Sequence, residues 1–285
     1  MVKGWQELAK LAAHWVLPPG ILALLRSHLM VKSLTPEERA ILRKNRTLNN
    51  RHAGERCFIL ATGPSIKKQD LKLLRGETCI ALSNFFVHQD YSVIKPRYYC
   101  VAGYHQSISK TAWTEWFGEM ATATDSAVMF FSLNDRKDIE RSGLFSRRAI
   151  HYLQYANWSK ISGRKVDITR SVPSPQSVTI MALEVALYMG FKNIYLLGCD
   201  HDWLLHLDTS KHFYEENQHA LVRAGYDEWA GADIELQCQC YIRLWQQYKE
   251  LGRIARGKSI CIYNATAGGI LDVFPRVPYE SLFEE

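Results

Sequence analysis

Short, continuous apolar runs alternate along the chain with stretches in which apolar positions recur every three or four residues. The runs at 57–61, 78–83, 98–102, 127–132, 193–200 and 259–263 have the length and composition of strands buried on both faces. Helical spacing is present at 113–120. It returns from Val178 through Met181, Ala182, Val185, Ala186 and Met189, with Gly190 placed to end that helix. A third helical pattern, 234–252, sets Leu236, Cys240, Leu244 and Tyr248 on one face. The mixed, basic and aromatic stretch 142–172 gives no assignment. Strands alternating with helices predict an α/β fold, a Rossmann-like, mostly parallel sheet flanked by helices, over residues 51–285.

Upstream, Thr35-Pro36-Glu37-Glu38 reads as a capping box with Pro at the first helical position, opening a helix to about Arg46. The polar link 49–54 separates it from the first strand, so residues 1–50 are expected to form an N-terminal helical arm. Within the arm Trp5, Leu8, Leu11, Trp15 and Val16 recur at helical spacing, Pro18-Pro19-Gly20 interrupts, and 21–25 is apolar again. With Lys3, Lys10 and Arg26 nearby, residues 3–26 suit either a helix pair lying on an anionic membrane surface or an arm packed on protein. No run reaches the roughly 18 apolar residues of a membrane span.

Composition narrows the choice of partners. The 285 residues are 47% hydrophobic, enough for a large core, and 35 Lys and Arg against 29 Asp and Glu give a net charge of +6. That charge is diffuse and suits anionic ligands; no nucleic-acid-reading motif accompanies it. Seven cysteines, several in strand-like runs, suit a reducing cytoplasm, and Cys238-Gln239-Cys240 lacks the second ligand pair of a zinc site.

The chemistry gathers where strands end. Thr62-Gly63-Pro64-Ser65 follows the first strand, with Gly63 allowing close approach and Ser65 a candidate N-cap, so backbone amides there are expected to face a phosphate. Asn84 follows the second strand, and Asp200 ends the strand after the Pro173–Thr179 turn, where it suits either a ligand hydroxyl or the cap of the next turn. Asp200-His201-Asp202 has the form of a metal-binding Asp-x-Asp, and His201, His206 and His212 form a weaker zinc set. The expected site holds no metal and needs no cofactor.

These blocks, taken in order with Lys211-His212-Phe213-Tyr214, resemble the small metal-independent bacterial sialyltransferases. They are also similar to the wider group of motility-accessory glycosyltransferases and uncharacterised cell-surface polysaccharide proteins, which 264–279 matches better. The resemblance implies a CMP-activated sugar donor bound by Thr62, Gly63, Pro64, Ser65 and Asn84, with Gln176, Ser177 and Asp200 completing the nucleotide-sugar site. It implies His212 as general base on the acceptor hydroxyl. Thr62 stands where the family has asparagine, which leaves the donor's identity open. Transfer without a metal needs hydroxyls or amides aimed at the departing phosphate, for which Tyr214 and Tyr226 are candidates.

The expected function is therefore an inverting glycosyltransferase moving a sialic-acid-like or related ulosonic acid onto a glycan or glycolipid, as in lipopolysaccharide or capsule synthesis. Its expected place is the cytoplasm or the inner face of the cytoplasmic membrane, and a homo-oligomer is allowed. Two alternatives stand beside it. One is an ATP-dependent pterin-type diphosphokinase, whose archaeal form has a related Gly-Pro-Ser turn although the Walker-type lysine loop is absent here. The other is a non-catalytic nucleotide-binding subunit of a polysaccharide assembly.

Overall fold

The structure, a computed structural model, describes residues 34–101, 103, 108–124, 126–156, 165–205, 211–214, 219–225, 229 and 231–284. The pattern at residues 3–26 lies outside the described residues. Eight strands are present among them: β1 (Arg56–Leu60), β2 (Cys79–Leu82), β3 (Tyr98–Cys100), β4 (Val128–Ser132), β5 (Ile150–Tyr155), β6 (Ser171–Val172), β7 (Asn193–Leu197) and β8 (Cys261–Asn264). They form one sheet in the order β6-β5-β4-β3-β2-β1-β7-β8, and every neighbouring pair is parallel. The α/β, Rossmann-like expectation holds.

The apolar runs are unbroken because both faces of the sheet are covered. In β1, Cys57 and Ile59 enter the core on one face while Phe58 and Leu60 enter the core on the other. In β2, Ile80 and Leu82 join the first core, Cys79 and Ala81 the second. The α-helices among the described residues are α1 (Pro36–Arg43), α2 (Tyr91–Ile94), α3 (Lys110–Ala123), α4 (Arg136–Ser142), α5 (Val178–Met189), α6 (Ala220–Arg223) and α7 (Ile234–Arg256). α5 and α7 pack on the first face, and α3 and α6 on the second. Helix α5 is buried from Thr179 to Met189, as a helix apolar all round must be. Gly190 ends it at φ 80°, as expected.

Three elements depart from the sequence reading. The stretch 142–172 contains β5 and β6, hidden because β5 carries His151 and Gln154 and β6 is only two residues long. Helix α7 packs through Leu244, Gln247, Tyr248, Leu251 and Ile254, whereas its first turns project and leave Ile234, Leu236 and Ile242 exposed. The short helix after β1 is a 3-10 turn, Pro64–Lys68. All seven cysteines are free thiols, and no described helix is long and apolar enough to cross a membrane.

The capping box forms: Glu38 N donates to Thr35 Oγ1 at 3.1 Å and Thr35 N to Glu38 Oε2 at 2.8 Å. Residues 36–48 are tied into the body. Leu42 and Leu48 are fully buried, and buried Asn45 donates through Nδ2 to Tyr152 O at 2.9 Å and Ile168 O at 2.8 Å. This amide joins the 3-10 turn that follows α1 to β5 and to the segment entering β6. Asn45→Leu leaves two buried carbonyls without their donor and is expected to cost roughly 2–4 kcal/mol. Urea unfolding measures it, and a loss below about 0.5 kcal/mol would mean that water replaces the amide.

Candidate active site at the carboxyl edge of the sheet

The chain leaves β1 toward β2 on one side, while β7 and β8 lie on β1's other side. A parallel sheet opens a crevice outside the carboxyl ends of its strands at such a reversal. Residues after β1, β2, β7 and β8 meet there, joined by 211–214.

The centre of the crevice edge is the Asp200 carboxylate, 4% exposed. Its Oδ1 accepts from Ser65 N at 3.3 Å, and its Oδ2 has no hydrogen-bond partner among the described residues. A Cβ on Gly63 would run into this Oδ2, and a Cβ on Gly269, at φ 71°, would run into the Asp200 backbone. Burial raises the carboxyl's pKa, and the neighbouring Asp202 adds to the rise. The β8 loop is tied to the same point. Ile270 N donates to Asp200 O at 2.8 Å, and Cys199 N to Thr266 Oγ1 at 3.1 Å. Arg276 donates to Thr266 O, Gly268 O and Gly269 O at 3.2, 2.9 and 2.8 Å.

This arrangement corrects the expected phosphate cradle. Gly63 N donates to Gly198 O at 2.8 Å, and Ser65 N to Asp200. The residue capping the 3-10 turn is Gly63, not Ser65. Both amides are spent inside the protein, and the room that Gly63 provides is occupied by Asp200.

A second group lies beyond β1 and β2. His212 Nδ1 is 3.0 Å from Thr62 Oγ1, across 150 residues of sequence, and Phe213 N donates to Thr62 O at 2.9 Å. The His212 ring stacks on Tyr214 with centroids 4.8 Å apart. Asn84 Nδ2 donates to Tyr214 Oη at 3.0 Å, and Trp116 Nε1 donates to Asn84 Oδ1 at 2.7 Å. Phe213 packs edge-on against the stacked rings of Phe85 and His88. Thr62, Asn84, His212 and Tyr214 thus form one connected set.

The sequence reading missed two members of this neighbourhood. Trp116, on α3, orients the Asn84 amide. His219, 1% exposed, meets Tyr214 edge-on at 4.8 Å, and neither ring nitrogen has a partner among the described residues. A tryptophan at helical core spacing and a histidine at the start of the four-residue helix α6 carry no distinguishing sequence signal. Tyr226, His206 and Asp208 lie outside the described residues.

Gln176 and Ser177 belong to a third group, facing α7. Ser177 Oγ caps α5 by accepting from Thr179 N at 3.1 Å, and Gln176 N donates to Gln247 Oε1 at 2.8 Å. His201, at φ 51°, pairs its Nε2 with Tyr248 Oη at 2.7 Å. The Asp200 and His201 side chains therefore diverge, one to the β1 turn and one to α7. Among the described residues no three His, Cys, Asp or Glu side chains gather as a metal site. Two clefts of about 650 and 810 Å³ among the described residues lie away from this edge, one beside Arg75 and Arg97 and the other beside Arg43 and Lys165.

No protein-family model and no curated protein matches the sequence. Among solved structures, the chain is similar to the sialyltransferase CstII from Campylobacter jejuni in complex with the substrate analogue CMP-3FNeuAc. The identity is 13%, the match covers 78% of this chain and 86% of that one, and the TM-score is 0.45.

Two expectations follow from the geometry. Gly63→Ala collides with the Asp200 carboxylate and should cost about 1–3 kcal/mol as overpacking. In the Gly63→Ala/Asp200→Ala pair the clash with the carboxylate is gone while the one with the Gly198 carbonyl remains, so the double variant should lose less than the sum of the singles in a denaturation cycle yet more than Asp200→Ala alone. Strict additivity would show that the two residues do not meet.

The second concerns acid. Burial pushes the pKa of both His201 and His219 down to about 4. A histidine whose folded value lies below its ordinary ~6.5 contributes stability that is complete above the ordinary value and is lost as pH falls toward the folded one. The urea midpoint should fall between about pH 6.5 and 4, and His219→Phe should flatten part of that fall. An unchanged slope would assign the acid limit to other groups.

Proposed function

We propose that this protein is a glycosyltransferase that moves a sialic-acid-like or related ulosonic acid from a CMP-activated donor to a glycan or lipid-linked glycan, with inversion. The observation that carries the reading is the link between His212 and Thr62, which brings a histidine from a distant loop to the carboxyl end of β1, where ligands of parallel sheets bind. Tyr214 and Asn84 stand beside it, held to each other.

The chemistry fits these residues. An Nδ1–H donated to Thr62 puts the imidazole lone pair on Nε2, the tautomer a general base needs. The acceptor oxygen forms the new bond to the anomeric carbon as its proton passes to His212. The bond from that carbon to the phosphate oxygen breaks, and CMP leaves with the electron pair. The Tyr214 hydroxyl, oriented by the Asn84 amide, is a donor for the charge growing on that phosphate, with Tyr226 proposed for the same task. Thr62, Gly63, Pro64 and Ser65 would border the nucleotide through their surfaces, since the Gly63 and Ser65 amides are used internally. Gln176, Ser177 and Asp200 would line its far side. No cofactor enters this scheme.

His212→Ala should keep CMP binding, read as a thermal shift, and lose on the order of 10² to 10⁴ in turnover of a CMP-ulosonic acid. Thr62→Val should lose less and move the acid limb of the pH profile, because it removes only the group that fixes the tautomer. Normal turnover by His212→Ala would overturn the assignment. Loss of activity in EDTA with recovery on adding Mg²⁺ would favour a metal-assisted site at Asp200 and Asp202 instead.

A further inference from the structure

The amino edge of the sheet carries the cleft of about 810 Å³. Helices α5 and α7 run against the strands that follow them, so Tyr188 and Lys258 at their C-terminal ends mark this edge, away from the crevice. Arg39 and Arg43 of α1 and Arg46 just beyond it line one wall; Lys165, Arg170 and Lys258 line the rest. Asp167 is the single carboxylate in the lining, and its oxygens are engaged: Oδ1 accepts from Thr169 N and Oγ1 at 3.0 and 2.6 Å, and Arg170 Nε lies 3.6 Å from Oδ2.

Arg43, Arg46, Lys165 and Lys258 have no carboxylate within ion-pairing distance among the described residues. Burial and the nearby Lys165 lower the Lys258 pKa, so like charges face each other across the opening. A concave wall of one sign concentrates counter-ions, and polyanions bind it best. Leu34, the first described residue after the 3–26 segment, lines the same cleft. The Trp, Leu and Lys pattern of that segment suits a membrane interface, and stable attachment to a leaflet takes two signals.

We propose that this cleft docks on the phosphate headgroups of an anionic membrane leaflet, as a second contact beside the N-terminal segment. The full-length chain is floated with vesicles of phosphatidylcholine, with and without phosphatidylglycerol. Arg43→Glu/Arg46→Glu/Lys165→Glu changes three exposed residues and should fold normally. Its partition onto anionic vesicles should fall by more than about a hundredfold, since losing each basic residue is worth roughly fivefold and each added carboxylate is repelled by the surface. The milder Arg43→Gln/Arg46→Gln/Lys165→Gln should fall in between, and Lys72→Glu/Arg75→Glu, outside the cleft, should stay within about twofold of the parent. Binding to pure phosphatidylcholine should not change. Wild-type partition by the triple-glutamate chain would overturn the proposal. So would saturable tripolyphosphate binding, seen by calorimetry, that the same variant abolishes while vesicle binding survives, because the cleft would then serve a soluble phosphate.

Discussion

A single buried carboxylate organises the working edge of this sheet. Asp200 extends from the end of β7 against the turn after β1, and the β8 loop closes over its backbone. Taking a carboxylate out of water costs free energy unless its oxygens are met, and here Ser65 N meets only one of them. The raised pKa is the chemical expression of that cost. The surrounding chain is shaped to accept it: Gly63 and Gly269 lack the Cβ atoms that would strike Asp200, and Arg276 ties down the carbonyls of the loop that covers it. The backbone ladders set the spacing of β1, β7 and β8, and Asp200 fixes how the loops beyond them close on one another.

The fold was legible because two-sided burial leaves an unmistakable trace. Runs such as 57–61 and 193–197 have no polar face to interrupt them, and α5 announces itself by helical spacing and Gly190. What could not be read follows from the same physics. β5 places His151 against Asn45 Oδ1 at 2.9 Å, so a polar residue inside a strand is satisfied by a partner 106 positions away. The first turns of α7 carry Leu236 on the apolar face read from the sequence yet leave it exposed, because apolar spacing records a face and not what covers it.

The candidate site was legible in its members and misread in its wiring. Thr62, Asn84, His212 and Tyr214 do meet, and Asp200 does stand at the end of a strand. Glycine in the β1 turn pointed to a ligand's approach, but close approach by a protein carboxylate makes the same demand on Cβ. Sequence alone does not separate the two, since both require only that the position lack a side chain. Trp116 and His219 escaped for a different reason: their importance comes from orienting or flanking another side chain, a relation that exists only once α3, residues 211–214 and His219 come together beside Asn84.

The His212 geometry shows how a loop can hold a side chain as firmly as a strand would. Phe213 N donates to Thr62 O, extending the hydrogen bonding of β1 by one step past the sheet, and the Phe213 ring packs against Phe85 and His88. With the middle residue fixed in backbone and side chain, its neighbours share the opposite side, where their rings stack. His212 reaches Thr62 Oγ1, and Tyr214 reaches Asn84. Two polar contacts are thus set by one apolar anchor, so the alignment of imidazole and phenol is inherited from core packing. A change at Phe213 would disturb both rings together, whereas a change at Thr62 or Asn84 would release only one.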